Sequence, residues 1–131
     1  MIYTFDYDAA YPYGPAMPMV ELQIRPVGQT GDKVTLKAIV DSGADATILP
    51  IRYLEEAGVD KVGRARMRWG DHIGQAYDVY LAVVEIGSFQ VPGVRILADK
   101  QRDEPVLGRD VLNHLLVTLN GPANVVEIAP T

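Results

Sequence analysis

Residues Ala38 to Pro50 read AIVDSGADATILP, a carboxylate, a hydroxyl and a glycine in succession between two apolar runs. Asp and Ser bond nearby backbone and Gly tolerates positive φ, so the triplet alone is ordinary turn chemistry. The flanking Ile39, Val40, Ile48 and Leu49 change that reading. They set Asp41 beside a core rather than out in water, a costly place for a charge that serves no purpose. A carboxylate so placed can take or give a proton. A second block, PVLGRDVL at Pro105 to Leu112, puts Gly108, Arg109 and Asp110 between further apolar pairs. By itself it reads as a helix start with a glycine at the bend.

Other chemistries are disfavoured by composition. The chain has 131 residues, 48% of them hydrophobic, which suits one compact core. Its 12 Lys and Arg stand against 17 Asp and Glu, a formal charge of -5, without a basic run, so nucleic acid is not an expected partner. There is no cysteine, which removes thiolate chemistry and disulfides, and His72 and His114 lie far apart. No metal site is expected, and no cofactor. Asp41 and Asp45 as a cation site lack the further spaced acids of a calcium loop. No stretch of 18 uncharged apolar residues and no leader pattern appears, so a soluble chain without membrane partners is expected, placed in the cytoplasm on its lack of cysteine.

The surrounding elements must hold Asp41. Residues 1–18 carry Tyr3, Tyr7, Tyr11, Tyr13, Pro12, Pro15 and Pro18, predicting an extended N-terminal arm that straps onto the body or a second subunit. Residues 19–131 are then the single domain. Met19 to Pro26 and Val34 to Val40 alternate apolar and polar residues, predicting a hairpin that runs into Asp41. Pro50 and Gly58 bracket a short structural helix. RARMRW, QAYDVYLAVVEIG and VPGVRILAD predict three strands, the first two joined at Gly70 and Asp71 by a tight hairpin turn. Val111, Leu112, Leu115 and Leu116 share one face of a predicted late helix, and NVVEIAP reads as a last strand. The DSG triplet occurs once, with no internal repeat.

Taken together, Asp41, Ser42, Gly43, Ala44 and Thr47 between apolar pairs, with Val106 to Leu112 in the later block, resemble the two signature blocks of the retropepsin-like aspartic proteases. The resemblance spans about residues 19 to 130. It implies a mostly β, single-lobed acid-protease fold, a closed β-barrel with one or two short helices. It further implies an aspartic endopeptidase acting on a peptide or protein substrate, with Asp41 as the catalytic residue. Two carboxyls sharing one proton would supply base and acid together. Pepsin-like relatives carry two such loops in one long chain. Here a single loop implies a homodimer whose two-fold axis brings a second Asp41.

By the same resemblance Ser42, Gly43 and Ala44 support the catalytic loop: Ser42 bonds across to the other half, and Gly43 lets backbone approach. Asp45 and Arg109 form an ion pair near the substrate, beside Gly108. The hairpin Met67 to Gln75 corresponds to the family's flap, departing from the glycine-rich retroviral version by carrying Trp69, Asp71 and His72 around Gly70. A rival reading keeps the fold without catalysis, as a dimerising or peptide-binding module in which Asp41 serves only the turn.

Overall fold

The structure, a computed structural model, describes residues 1–28, 33–69 and 72–130; the side chains of Trp69, His72 and Ile73 also lie outside the description. Among the described residues ten strands and two short helices run in the order β1 (Tyr3–Asp6), β2 (Met19–Arg25), β3 (Val34–Val40), β4 (Ile48–Pro50), α1 (Ile51–Ala57), β5 (Asp60–Trp69), β6 (His72–Ile86), β7 (Phe89–Asp99), β8 (Val106–Leu107), α2 (Arg109–Leu112), β9 (Leu116–Asn120) and β10 (Val125–Ala129).

The alternation read in β2 and β3 is an antiparallel pair, from Met19 opposite Ile39 to Ile24 opposite Val34. One face of that pair, Val20, Leu22, Ile24, Leu36 and Ala38, is buried in the core, as a half-buried sheet requires. The larger sheet has the order β2-β3-β8-β4-β7-β6-β5, and a further β2–β6 pairing brings the strands round into a ring with β5 outside it. Fully buried Leu22, Ile24, Leu49, Ile96 and Leu107 fill its interior. Each such side chain contributes roughly 1.5–3 kcal/mol relative to exposure.

The two apolar runs flanking the DSG turn do not pair with each other. β8 lies between them, parallel to β3 through Ile39–Val106 and Val40–Leu107, and antiparallel to β4 at Ile48. The second motif block is therefore inserted directly behind the first, which explains why the two occur together.

Helix α1 ends where glycine was read as a stop: Gly58 is left-handed at φ 67° and its N–H caps the Glu55 and Leu54 carbonyls. The late helix is shorter than its apolar spacing predicts. It stops at Leu112, and Leu116 opens β9. Val111 and Leu112 are buried against the core, while Leu116 is carried away into a second, three-stranded sheet ordered β1-β10-β9. In that sheet the first residues of the chain meet its last strand, Tyr3 opposite Ile128 and Phe5 opposite Val126. Beyond β1 the segment folds back on itself through a bridge between Asp8 and Met17.

Candidate active site

Asp41 directly follows β3, and its N–H donates to the Leu107 carbonyl of β8 at 3.1 Å. The Gly43 N–H donates to Asp41 Oδ1 at 2.9 Å, and the Ala44 N–H to the Asp41 carbonyl at 3.2 Å. A Cβ added at Gly43 would stand 3.1 Å from that same Oδ1, so the missing side chain is what lets the amide approach the carboxylate. Val40 behind it is buried, but Asp41 itself is exposed in the single chain. The expectation of a carboxylate beside the core thus holds on one side only: the loop turns its acid outward into a cleft of about 610 Å³.

Beneath Asp41 the two motif blocks are joined by a buried network. Thr47, fully buried, donates its hydroxyl to Asp110 Oδ1 at 2.7 Å and its N–H to Asp110 Oδ2 at 3.0 Å. The Gly108 N–H in turn donates to Thr47 Oγ1 at 3.1 Å. A Cβ on Gly108 would come within 2.5 Å of the Ala46 carbonyl carbon, so only glycine fits between the blocks. Arg109 completes the fastening: its N–H donates to the Ala44 carbonyl at 2.9 Å, Nη1 to the Ser42 carbonyl at 2.7 Å, and Nη2 pairs with Asp45 Oδ1. The Asp45–Arg109 pair is exposed and adds little stability as charge. Its use is geometric, since one guanidinium grips both sides of the turn.

The long hairpin borders the same cleft through Met67, Arg68 and Gln75, with Tyr77 further down β6. β5 and β6 pair as far as Trp69 opposite His72, with register shifts between Lys61 and Gly63 and between Arg66 and Arg68. Gly70 and Asp71, and the side chains of Trp69 and His72, lie outside the described residues. The hairpin's base is anchored at Asp78, where hydrogen bonds from Lys100 and Lys61 hold the carboxyl below its usual range.

The opposite wall comes from residues that no motif marks: Asp99, Arg102 and Glu104 in the segment before β8. Their only sequence signal is position, immediately ahead of the second block. Asp110 and Thr47 were visible as motif letters, but their direct bond was not. Among the described residues, no group of three or more His, Asp or Glu could hold a metal ion, and no helix is long and apolar enough to cross a membrane.

The fold has known counterparts. In fold the chain is similar to a retropepsin-like aspartic protease from Rickettsia conorii (TM-score 0.61, 12% identity, 98% of this chain and 91% of that one). It is also similar to EIAV protease complexed with the inhibitor HBY-793 (0.52, 16%, 79% and 90%). A third counterpart is the retroviral protease-like domain of Ddi1 from Leishmania major (0.53, 20%, 87% and 94%). No curated protein matches the sequence. The family profile described as gag-polyprotein putative aspartyl protease matches residues 28–114, more than half of the chain and including both motif blocks. The chain therefore belongs to the gag-polyprotein aspartyl protease family and has the retropepsin-like fold.

Proposed function

We propose that this chain is one half of an aspartic endopeptidase, a homodimer in which two Asp41 carboxyls share a proton and activate water. The observation that carries the proposal is the posture of Asp41: one carboxylate oxygen is held by the Gly43 N–H while the group faces an open cleft. A carboxylate needed only for its turn has no use for that cleft. Across a two-fold axis the ionised Asp41 takes a proton from water as the water oxygen bonds to the scissile carbonyl carbon. The protonated Asp41 gives its proton to the carbonyl oxygen. Collapse of that adduct breaks the C–N bond as the nitrogen is protonated.

A second copy also has a place to dock. β9 is one of the two outer strands of its sheet, with an edge that no described residue pairs with. Leu119 shares a face with its cross-strand partner Val126, which is 0% exposed, yet Leu119 itself is 52% exposed. A leucine on the core-facing side that is left half open supports association along this edge, two-fold related and close in sequence to Arg109.

The test is hydrolysis of a peptide library between about pH 3 and 8 by the parent and by Asp41→Asn, alongside sedimentation. The nearly isosteric amide should abolish cleavage with unchanged secondary structure, and activity per molecule should fall as the dimer is diluted apart. Parental turnover in Asp41→Asn, or full activity in a monomer, would overturn the reading.

A further inference from the structure

The cleft does not end at its acidic wall. Arg102 and Glu104 border it on one side and on the other border a second hollow of about 580 Å³, completed by Tyr11, Tyr13 and Asp103. The N-terminal segment is thus part of the groove. It is set in place by the Asp8–Met17 bridge and by the Tyr7 N–H donating to the Asn124 carbonyl at 2.8 Å. Tyr11 and Tyr13 meet edge to face with centroids 5.8 Å apart, and Tyr13 is 82% exposed. An exposed, pre-set aromatic pair at the end of a peptide-sized groove suits a ligand side chain.

Charge decides which side chain. Asp103 is engaged by Arg52 through two bonds, of 2.7 and 3.0 Å. Glu104 is half-buried, and Tyr11 donates its hydroxyl to Oε2 at 3.2 Å. Among the described residues it has no cationic partner. One hydroxyl leaves most of a carboxylate's acceptor capacity open. Burial and the Glu104 charge both raise the Tyr11 pKa, which keeps that hydroxyl a donor. Arg102 is the opposing charge, but its side chain is exposed and long, so water screens it and its position is not fixed. A partly desolvated carboxylate held beside two aromatic rings favours a cation over both an anion and a neutral group.

We infer that this hollow is an outer substrate subsite for a lysine or arginine side chain, with Glu104 as its counter-ion and Tyr11 as the residue that positions Glu104. The inference rests on the reading of the Asp41 cleft as a peptide cleft. It gives the arm a task that neither strand pairing nor the dyad assigns to it.

Binding and cleavage separate the two readings. A position-scanned decapeptide library carrying Lys, Leu or Glu at each place is bound to full-length Asp41→Asn and, in parallel, offered to the parent for hydrolysis. At one position away from the scissile bond, Lys peptides should bind about tenfold tighter than Leu peptides and Glu peptides weaker still. Adding Glu104→Gln should erase that preference and leave Leu peptides unchanged. Tyr11→Phe should weaken Lys binding about threefold on its own and by nothing further in the Glu104→Gln background, the signature of a residue acting through another. Charge-selective binding without parental hydrolysis would keep the subsite and discard the protease. Hydrolysis with no charge preference at any position, a preference for Glu, or a Lys preference that survives Glu104→Gln would discard the subsite. No binding of any peptide would discard both.

Discussion

The Asp41 loop is fastened by bonds from a second segment, Leu107 to Asp110, whereas the β5–β6 hairpin bordering the same cleft is held beyond Ala65 by its own two strands. Leu107, Gly108 and Arg109 each bond into residues 41–47, and Asp110 takes two more bonds from Thr47. By contrast β6 pairs with β7 only from Val79 onward, so residues 65–69 and 72–77 form a two-stranded ribbon. Its arginines 64, 66 and 68 are exposed. A two-stranded ribbon is marginal by itself. On the proposed function the difference separates two tasks: a reacting carboxylate must be held within a fraction of an ångström, while a cover must admit a chain.

If this contrast is right, equal changes in the two regions should have unequal effects. The largest belongs to Gly108→Ala. One added carbon would meet the Ala46 backbone at 2.5 Å, and backbone on both sides cannot yield as a flexible side chain could. A loss of about 3 kcal/mol or more is expected in denaturant unfolding, with activity lost alongside. A variant within about 0.5 kcal/mol of the parent would mean that the blocks are not wedged together as described.

Next is Thr47→Val against Arg66→Ala. Valine keeps the shape of Thr47 but leaves the Gly108 N–H and one Asp110 oxygen without their partner in a buried place, a cost of about 2–3 kcal/mol. Arg66 makes one long bond, to the Gly74 carbonyl at 3.5 Å, on an exposed strand face, so its removal should change stability by less than about 0.5 kcal/mol. Similar losses at the two positions would remove the distinction between fastened loop and free ribbon.

How much of this was legible in the sequence follows the same division. The two motif blocks, the β2–β3 pair and α1 could be read because their signals are local: alternation, a stop glycine, fixed spacing. β4 and β8 have three and two residues, too few for any period, and they exist because together they are clasped between the longer β3 and β7. The spacing of Val111, Leu112, Leu115 and Leu116 fits a longer helix equally well, and only pairing with β10 decides that Leu116 belongs to a strand. β1 depends on a partner at the other end of the chain. Tyr11 and Glu104 meet across 93 positions, with no pattern in either neighbourhood.

Glu85 was equally hidden, an acid within the apolar run of β6, and it supplies a pH test of the barrel that supports both regions. It is buried, with Arg25 at 2.8 Å and Lys33 at 2.7 Å. The hydrogen bond from Lys33, then that from Arg25, lower its pKa against the opposing effect of burial. A carboxyl whose folded pKa lies below its unfolded value of 4.5 stabilises the fold above that value. The contribution is lost as pH falls through the folded pKa. Stability should therefore decline on the acid side below about pH 4.5, and Glu85→Gln should flatten that decline while lowering stability at neutral pH. An unaltered acid limb in the variant would assign the decline to other carboxyls.

The smallest expected effect is the most specific to the fastened loop. Ala44 borders the cleft beside Asp41, and its methyl side chain has no donor to offer the Asp41 carboxylate. A serine here would carry a hydroxyl able to donate to the ionised carboxyl and so favour its charged form. Ala44→Ser should move the acid limb of kcat/KM downward by about half a unit to one unit, as one added hydrogen bond to the charged form would. The same substitution at Ala65, on the free ribbon, should leave the profile where it was. If Ala44→Ser forms the new bond to Asp41 and the profile still does not move, the dyad's titration is set by the facing carboxyl instead. The loop's part would then be to hold Asp41 in place and not to tune it.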